Sequence, residues 1–254
     1  MTATLSVILP VFNSAHCIRE NIETLILFLR HNGKSFEVIA VNDGSTDTTG
    51  EILLSLSFPE LKVILLKQNQ GKFAAIRAGM LASSGECCIF TDADLPYQLE
   101  AIPYMYTLVI NNGFHVVAGD RRLPESLRGE GAFSVRRLSS YVFSSFVRLS
   151  LTGEVYDTQC GLKAFRGDIA RMLFEMLHDR GFSGDVEVIY LALKYNLAIR
   201  RIPVRTYKVG PSTVRLLRDV LPMVWHILQL PMRWRRGVYE NQKLRALTSQ
   251  CYWS

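Results

Sequence analysis

The feature that most constrains this chain is an alternation running through its first half. Short apolar runs alternate with segments of helical spacing, and most runs end in a polar turn. Residues 5–9 (Leu-Ser-Val-Ile-Leu) read as a buried strand. Ile18, Ile22, Leu25 and Leu29 then recur at steps of three and four, which places them on one helix face. Residues 36–41, 61–66 and 87–91 predict three further strands, with a small-residue helix over 73–82. Later come a short strand at 116–119, helices over 133–151 and 185–195, and a strand at 199–207. Strands alternating with helices predict an α/β fold, a mainly parallel sheet with helices on both faces and right-handed crossovers. In such sheets ligands bind at the carboxyl ends of the strands. Residues 10–13, 42–45 and 92–94 all fall there, so their side chains are the first candidates for chemistry.

Asp92 and Asp94 are the sharpest of these. Extended spacing would put both carboxylates on one side of the chain, aimed at one point. Two hard oxygen ligands suit Mg²⁺ or Mn²⁺, with phosphate oxygens completing the shell. Such an ion would neutralise a departing diphosphate. A solvated turn or a helix cap explains a bare D-x-D equally well. Asp43 lies at the end of the neighbouring strand, where a carboxylate can meet a base or ribose edge. Asp47 reads as a cap for the next helix.

Together these stretches resemble a known family. Ser6-Val-Ile-Leu-Pro-Val-Phe-Asn13, Val41-Asn-Asp-Gly-Ser-Thr-Asp47, Asn69-Gln-Gly-Lys72 and Asp92-Ala-Asp94 occur in the order and spacing of family 2 glycosyltransferases. That family has the GT-A fold, the Rossmann-like architecture of nucleotide-diphospho-sugar transferases. The resemblance covers residues 5 to 210. Asp157-Thr-Gln-Cys-Gly-Leu-Lys163 is similar to the D-x-Q-C-G-x-K motif of polyprenyl-phosphate glycosyltransferases, especially the dolichyl- and undecaprenyl-phosphate glucosyltransferases. Phe182-Ser-Gly-Asp185-Val-Glu187 resembles their F-D-V-E segment with an altered start.

The resemblance implies roles residue by residue. Pro10, Phe12 and Asp43 would line the nucleoside pocket, and Lys72 would lie near the nucleotide phosphates. Asp92 and Asp94 would serve the sugar-nucleotide and its Mg²⁺ or Mn²⁺. Arg121 matches the family's G-S-R arginine, although Asp120 replaces the serine; with Arg136 or Arg137 it would hold an acceptor phosphate. Asp157, Gln159 and Lys163 would shape the donor-sugar and acceptor site. No ligand follows Asp-Ala-Asp in the usual way, since the chain reads Leu95-Pro96-Tyr97.

Chemistry separates the acceptors. A hydroxyl acceptor needs a general base. A phosphate monoester has a second pKa of about 6 and is already largely dianionic at neutral pH. It needs cations to hold it against an anionic donor, and the planar fork of arginine suits that task. Asp185 and Glu187 fall where hydroxyl-acceptor relatives place their base; for a phosphate acceptor that carboxylate would hold a sugar hydroxyl or orient Lys163, and as a structural residue Asp185 would cap its helix. Cys160 reads as a small packed residue, and no histidine is assigned to a metal. A hydroxyl acceptor, and a non-catalytic nucleotide-sugar-binding partner in a membrane glycosylation complex, are the competing readings.

Charge is unevenly placed. The chain of 254 residues carries 29 Lys/Arg against 23 Asp/Glu, but from residue 195 onward there are eleven against two. The polar residues Arg215, Arg218/Asp219, His226, Gln229 and Arg233 recur at single or double steps of three or four. Leu217, Leu221, Trp225 and Leu228 form the opposite face, so 211–254 reads as a basic amphipathic tail to a catalytic domain over 1–210. The helix is expected to bend at Pro222 and to end near Pro231. Its Trp and Arg edges suit an anionic membrane surface; packing on the domain or in a homo-oligomer would use the same face. No recognition motif accompanies the charge, so nucleic acid is not expected as a partner. No apolar run reaches the length of a transmembrane helix, no secretory leader is visible, and five cysteines without a C-x-x-C pair read as reduced thiols. A cytoplasmic protein, peripheral on the membrane, is the expectation.

Overall fold

The structure is a computed structural model that describes residues 4–127, 157–181, 183–207 and 216–249, without the side chains of 216–222 and 249. Arg128, Arg136, Arg137, the expected helix over 133–151 and Cys251 lie outside the described residues. The elements follow the expected alternation: β1 (Leu5–Val11), α1 (Ile18–His31), β2 (Phe36–Asn42), α2 (Thr49–Ser55), β3 (Leu61–Leu65), α3 (Lys72–Ala82), β4 (Cys87–Phe90), α4 (Ala101–Ile110) and β5 (Val116–Asp120). Then come β6 (Lys163–Arg166), α5 (Gly167–Met176), α6 (Gly184–Lys194), β7 (Ile199–Pro203), α7 (Leu216–Arg235) and α8 (Gln242–Ser249).

The strands form one sheet in the order β3-β2-β1-β4-β6-β5-β7. All neighbours are parallel except β6, which runs antiparallel to β4 and β5. That reversal helps to build the polar end of the sheet. An antiparallel strand starts where its parallel neighbours end, and Lys163 of β6 is paired with Phe90 at the end of β4. The residues leading into β6 are thereby delivered to the carboxyl edge of the sheet, where the Asp92–Asp94 turn also lies.

Alternation along each strand feeds two cores. Ile8, Ile39, Val41, Cys88, Phe90 and Phe165 pack under α3, α5 and α6. Val7, Leu9, Val38, Ala40, Ile89 and Ala164 pack under α1 and α4. In the first core the Phe165 and Phe174 rings meet edge-to-face at 5.4 Å, an arrangement worth about 1 kcal/mol beyond the area it buries.

Two expectations are corrected. The strand foreseen to Tyr207 stops at Pro203, with only an isolated bridge between Tyr97 and Thr206 beyond it. Helix α7 does not end near Pro231 but runs on to Arg235. A proline deletes one amide bond, and packing of the surrounding turns makes good the loss. The apolar face of α7 also differs. Met223, Ile227 and Leu230 are buried in the domain core, with Trp234 packed beside them, while Trp225 and Leu228 face outward. The helix carries two apolar stripes, and periodicity alone does not say which one meets the sheet. Tyr239 and Leu244 complete the contact, so the described side chains from Met223 to Leu244 include several packed into the core beneath the sheet.

Candidate active site

The loops after β1 and β2 are tied together first. Asn13, held in the left-handed region at φ 48°, accepts from the Thr46 amide at 2.8 Å and donates its own amide to Ser45 Oγ at 2.9 Å. Asp47 is not the cap residue of α2, which is Thr48, but from one position earlier its Oδ1 accepts from the Thr49 amide at 3.0 Å, and its Oδ2 accepts from the Ala15 amide. These bonds hold its carboxyl pKa below the ordinary value although burial opposes them. Pro10 and the exposed Phe12 stand at the end of β1, beside Asp43 at the end of β2. Asp43 is buried, and its oxygens accept from the amides of Gln70 (2.8 Å) and Gly71 (2.9 Å). Burial raises its pKa and outweighs those two bonds.

Gly71 then turns the chain into α3. Its φ of +104° favours glycine, and a Cβ there would stand 2.3 Å from the Arg180 carbonyl oxygen. Helix α3 has no side-chain cap; the Arg180 carbonyl accepts from the amides of Phe73 and Ala74 instead. Lys72, the first residue of α3, reaches Asp92 with its Nζ 2.5 Å from Oδ1. Burial would lower the Lys72 pKa, but Asp92 and then Asp185 outweigh it and the pKa is raised.

Asp92 and Asp94 are not on an extended strand. Strand β4 stops at Phe90, and the Leu95 amide donates to the Asp92 carbonyl at 3.0 Å, so 92–95 is a turn. Leu95 takes φ 45° to close it. The two carboxylates nevertheless remain electrostatic neighbours. Asp94 is exposed to solvent; the protein packed beneath it and Asp92 beside it both raise its pKa. Against Asp92 lies Gly161, where a Cβ would fall 2.2 Å from Asp92 Oδ2. Among the described residues no cluster of three or more His, Cys, Asp or Glu is placed to hold a metal ion. The two aspartates fit an ion only if a bound phosphate supplies further oxygens, a shell that suits Mg²⁺.

The stretch 157–163 meets this turn from the other side. Asp157, buried, takes Arg121 in a two-pronged pair, Nε to Oδ2 at 2.7 Å and Nη2 to Oδ1 at 2.8 Å, and also accepts the Arg121 amide. Burial pushes the Asp157 pKa up, but the guanidinium overcomes it and holds the carboxyl below the ordinary range. Arg121 itself keeps about a third of its side chain in solvent (35%). Asp120, which stands where the family has serine, is buried; it accepts from the Arg122 amide and pairs with Arg201 of β7 at 3.2 Å. Gln159 Nε2 is a buried donor with no hydrogen-bond partner among the described residues. Cys160 packs against Gly119, and burial raises its thiol pKa to about 11, which fits a packing residue.

Lys163 is wholly buried. Its Nζ donates to the Cys160 carbonyl (2.6 Å) and to Asp185 Oδ1 (2.5 Å), and lies 5.4 Å from the Phe90 ring centre. Asp185 therefore does not cap α6: its carboxylate is spent on Lys163. Burial raises the Asp185 pKa against the pull of Lys163 and Lys72. Lysines and aspartates thus alternate from Lys163 through Asp185 and Lys72 to Asp92, with Asp94 beyond. Only the inner pair, Lys163 with Asp185, is fully enclosed, and a buried ion pair is often no more stable than an apolar core of equal volume.

Two residues here have partners that the sequence does not reveal, although Glu187 itself stands in the F-D-V-E-like segment. The Tyr97 hydroxyl accepts from the Gly161 amide at 2.9 Å and so fixes the glycine that seats Asp92. Glu187 sits on the far side of α6 from Asp185 and is enclosed by His178, Asp179, His226 and Tyr239. Both act through contacts distant in the chain, which spacing does not reveal.

A parallel-dominated sheet, a D-x-D turn at its carboxyl edge and an arginine–aspartate fork opposite define a GT-A glycosyltransferase. The chain belongs to glycosyl transferase family 2, whose model matches residues 6–174. It is 29% identical over 250 residues to the dolichyl-phosphate beta-glucosyltransferase of Dictyostelium discoideum, covering 93% of this chain and 76% of that one. To the human protein of the same name it is 27% identical over 262 residues, with 97% and 80% covered. Glucosyl-3-phosphoglycerate synthase from Mycobacterium tuberculosis, solved with Mn²⁺, uridine diphosphate and glucosyl-3-phosphoglycerate, superposes with a TM-score of 0.66 at 17% identity, over 94% of this chain and 82% of that one. Mannosyl-3-phosphoglycerate synthase from Rubrobacter xylanophilus gives 0.66 at 20% identity, over 96% and 77%. At these identities the two solved structures bear on the fold alone.

Proposed function

We propose that this glycosyltransferase moves glucose, with inversion, from UDP-glucose to a polyprenyl phosphate of the dolichyl type at a membrane surface. The observation that carries the acceptor is the Arg121–Asp157 fork beside the orphaned Gln159 donor. Asp157 fixes a guanidinium that keeps about a third of its side chain in solvent, and Gln159 Nε2 lacks an acceptor among the described residues, which a phosphate or sugar oxygen would supply. The relatives' names support glucose and dolichyl phosphate, and uridine diphosphate in the M. tuberculosis enzyme supports the donor.

Pro10 and Phe12 would pack on the nucleoside. Asp43 keeps a lone pair on each oxygen for a base or ribose hydrogen bond, beyond the two amides it already accepts. Asp94, with Asp92, would hold Mg²⁺ or Mn²⁺ together with the donor's diphosphate. When bound, the ion offsets charge on the leaving group. Lys72 would move between Asp92 and the phosphates. Lys163 and Asp185 would hold the floor of the sugar site, and with Asp185 spent on Lys163 no general base is required of it, because the attacking phosphate is already ionised.

The second apolar stripe of α7 supports the membrane surface. Trp225 (67% exposed), Leu228 (53%) and Met232 (46%) lie at i, i+3 and i+7, with Arg235 and Arg236 exposed at the helix end. An apolar row flanked by arginines complements an anionic bilayer face, here assigned to the cytoplasmic leaflet. Among the described residues no helix is long and apolar enough to cross a membrane.

A donor-by-acceptor panel read by product mass tests the proposal. Glucosyl polyprenyl phosphate should form from UDP-glucose with Mg²⁺ or Mn²⁺. Preferred transfer to a hydroxyl acceptor, or from GDP-mannose, would overturn the assignment. Asp94→Ala should cut turnover by about 100-fold or more, an effect of about 2.7 kcal/mol; unchanged turnover would remove Asp94 from the metal site.

A further inference from the structure

The buried groups that glucosyl transfer leaves unused gather around Glu187. This carboxylate is fully buried on α6, facing away from Asp185 and the cleft. It accepts from the Asp179 amide at 2.8 Å, from the His178 amide at 3.2 Å and from the Tyr239 hydroxyl at 2.5 Å. His226 Nε2 of α7 stands 3.5 Å away, without hydrogen-bond geometry among the described residues. Burial would push the Glu187 pKa up, yet these partners hold it below the ordinary value, so the group stays ionised. Its partners come from three separate stretches: the 178–180 segment, α7 and the turn beyond α7. A buried carboxylate costs several kcal/mol unless such donors surround it.

The next residue along that segment reaches the donor side. The Arg180 carbonyl accepts from Phe73 N–H at 3.0 Å and from Ala74 N–H at 3.2 Å, and it is the acceptor that caps α3. Lys72, which begins α3, places its ammonium on Asp92. One contiguous path therefore runs from α7 and Tyr239, through Glu187 and the 178–180 backbone, to the first turn of α3 and the D-x-D turn.

We infer that Glu187 is a positioning residue: it fixes the 178–180 segment against α3, and so sets where Lys72 meets the donor, while anchoring the membrane-facing helix to the same point. The kinetic part of this inference rests on the glycosyltransfer reading; the structural part does not.

Two variants of the full chain, Glu187→Gln and Tyr239→Phe, test it by amide exchange and by steady-state kinetics in detergent. Tyr239→Phe keeps the ring against His178 and removes only the hydroxyl. Exchange at Phe73 and Ala74 should speed up about tenfold relative to α1, and KM for the nucleotide-sugar should rise about tenfold with kcat and acceptor KM unchanged. A purely structural role would instead speed exchange in both cores and lower kcat through loss of active protein, which overturns the inference. Wild-type exchange at Phe73 and Ala74 in Tyr239→Phe overturns it too, even if Glu187→Gln does not fold. Were the unaltered chain to show no turnover, the glycosyltransfer reading would fail, and the exchange measurement would still decide the role of Glu187.

Discussion

At the scale of single residues, the site depends on close contacts that leave little room for substitution. Gly161→Ala would drive a methyl group into Asp92, so donor binding, read by calorimetry with UDP and Mn²⁺, should weaken at least about tenfold while the melting temperature changes little. Asp157→Asn breaks the fork that aims Arg121. The cost should be about 2 kcal/mol of stability, less than for a fully buried pair because Arg121 remains partly in water. The sign with pH comes from the depressed Asp157 pKa. Its contribution is complete above the ordinary Asp range, about pH 4, and is lost as pH falls through the depressed value. Denaturation curves between pH 7 and pH 3 should therefore be shallower in their acid limb for the variant than for the unaltered chain. Asp157, Arg121 and Lys163 were legible in the sequence because family motifs keep their neighbours together. Their partners were less so. That Asp157 would hold Arg121, or Asp185 would hold Lys163, depends on strands brought together by the fold.

Among the elements, the strands of the first half and helices α1 and α3 were readable because local period and polar turns agree there, whereas α4 was not. Strand β6 was not: four residues within a polar motif carry no periodicity, and only pairing with β4 and β5 makes them a strand. Helix α7 shows the opposite failure, an apolar pattern strong enough to be seen but with two stripes to choose from. Helix propensity cannot rank them; the shape of the first core does. The stripe left outside makes a prediction of its own. Replacing Trp225, Leu228 and Met232 together by Gln should abolish co-sedimentation with anionic vesicles and reduce transfer to a vesicle-borne acceptor about tenfold or more, at unchanged rate with a detergent-dispersed one. Retained vesicle binding would place the membrane contact elsewhere.

For the molecule as a whole, the basic C-terminal region is part of the fold. Tyr239 and Leu244 are buried in the same core as Phe73, Phe90 and Phe174. Ending the chain at Arg236 should therefore lower stability by about 4 kcal/mol, from two buried side chains at about 2 kcal/mol each, and should shift the whole melting curve. A tail that served only the membrane would leave that curve in place. The reversed strand has a further consequence. Because β5 ends and β6 begins at the same edge of the sheet, residues 121–162 leave and return to one place. Doubling such an excursion adds only about 0.6 kcal/mol of closure entropy, so the scaffold sets little limit on its length. Its two ends are not interchangeable, because Arg121 is locked to Asp157 and Gly161 seats Asp92. Grafting the corresponding segment of another family member between Leu127 and Asp157, with both ends kept, is therefore the exchange expected to alter acceptor choice while UDP binding, read by calorimetry, stays unchanged.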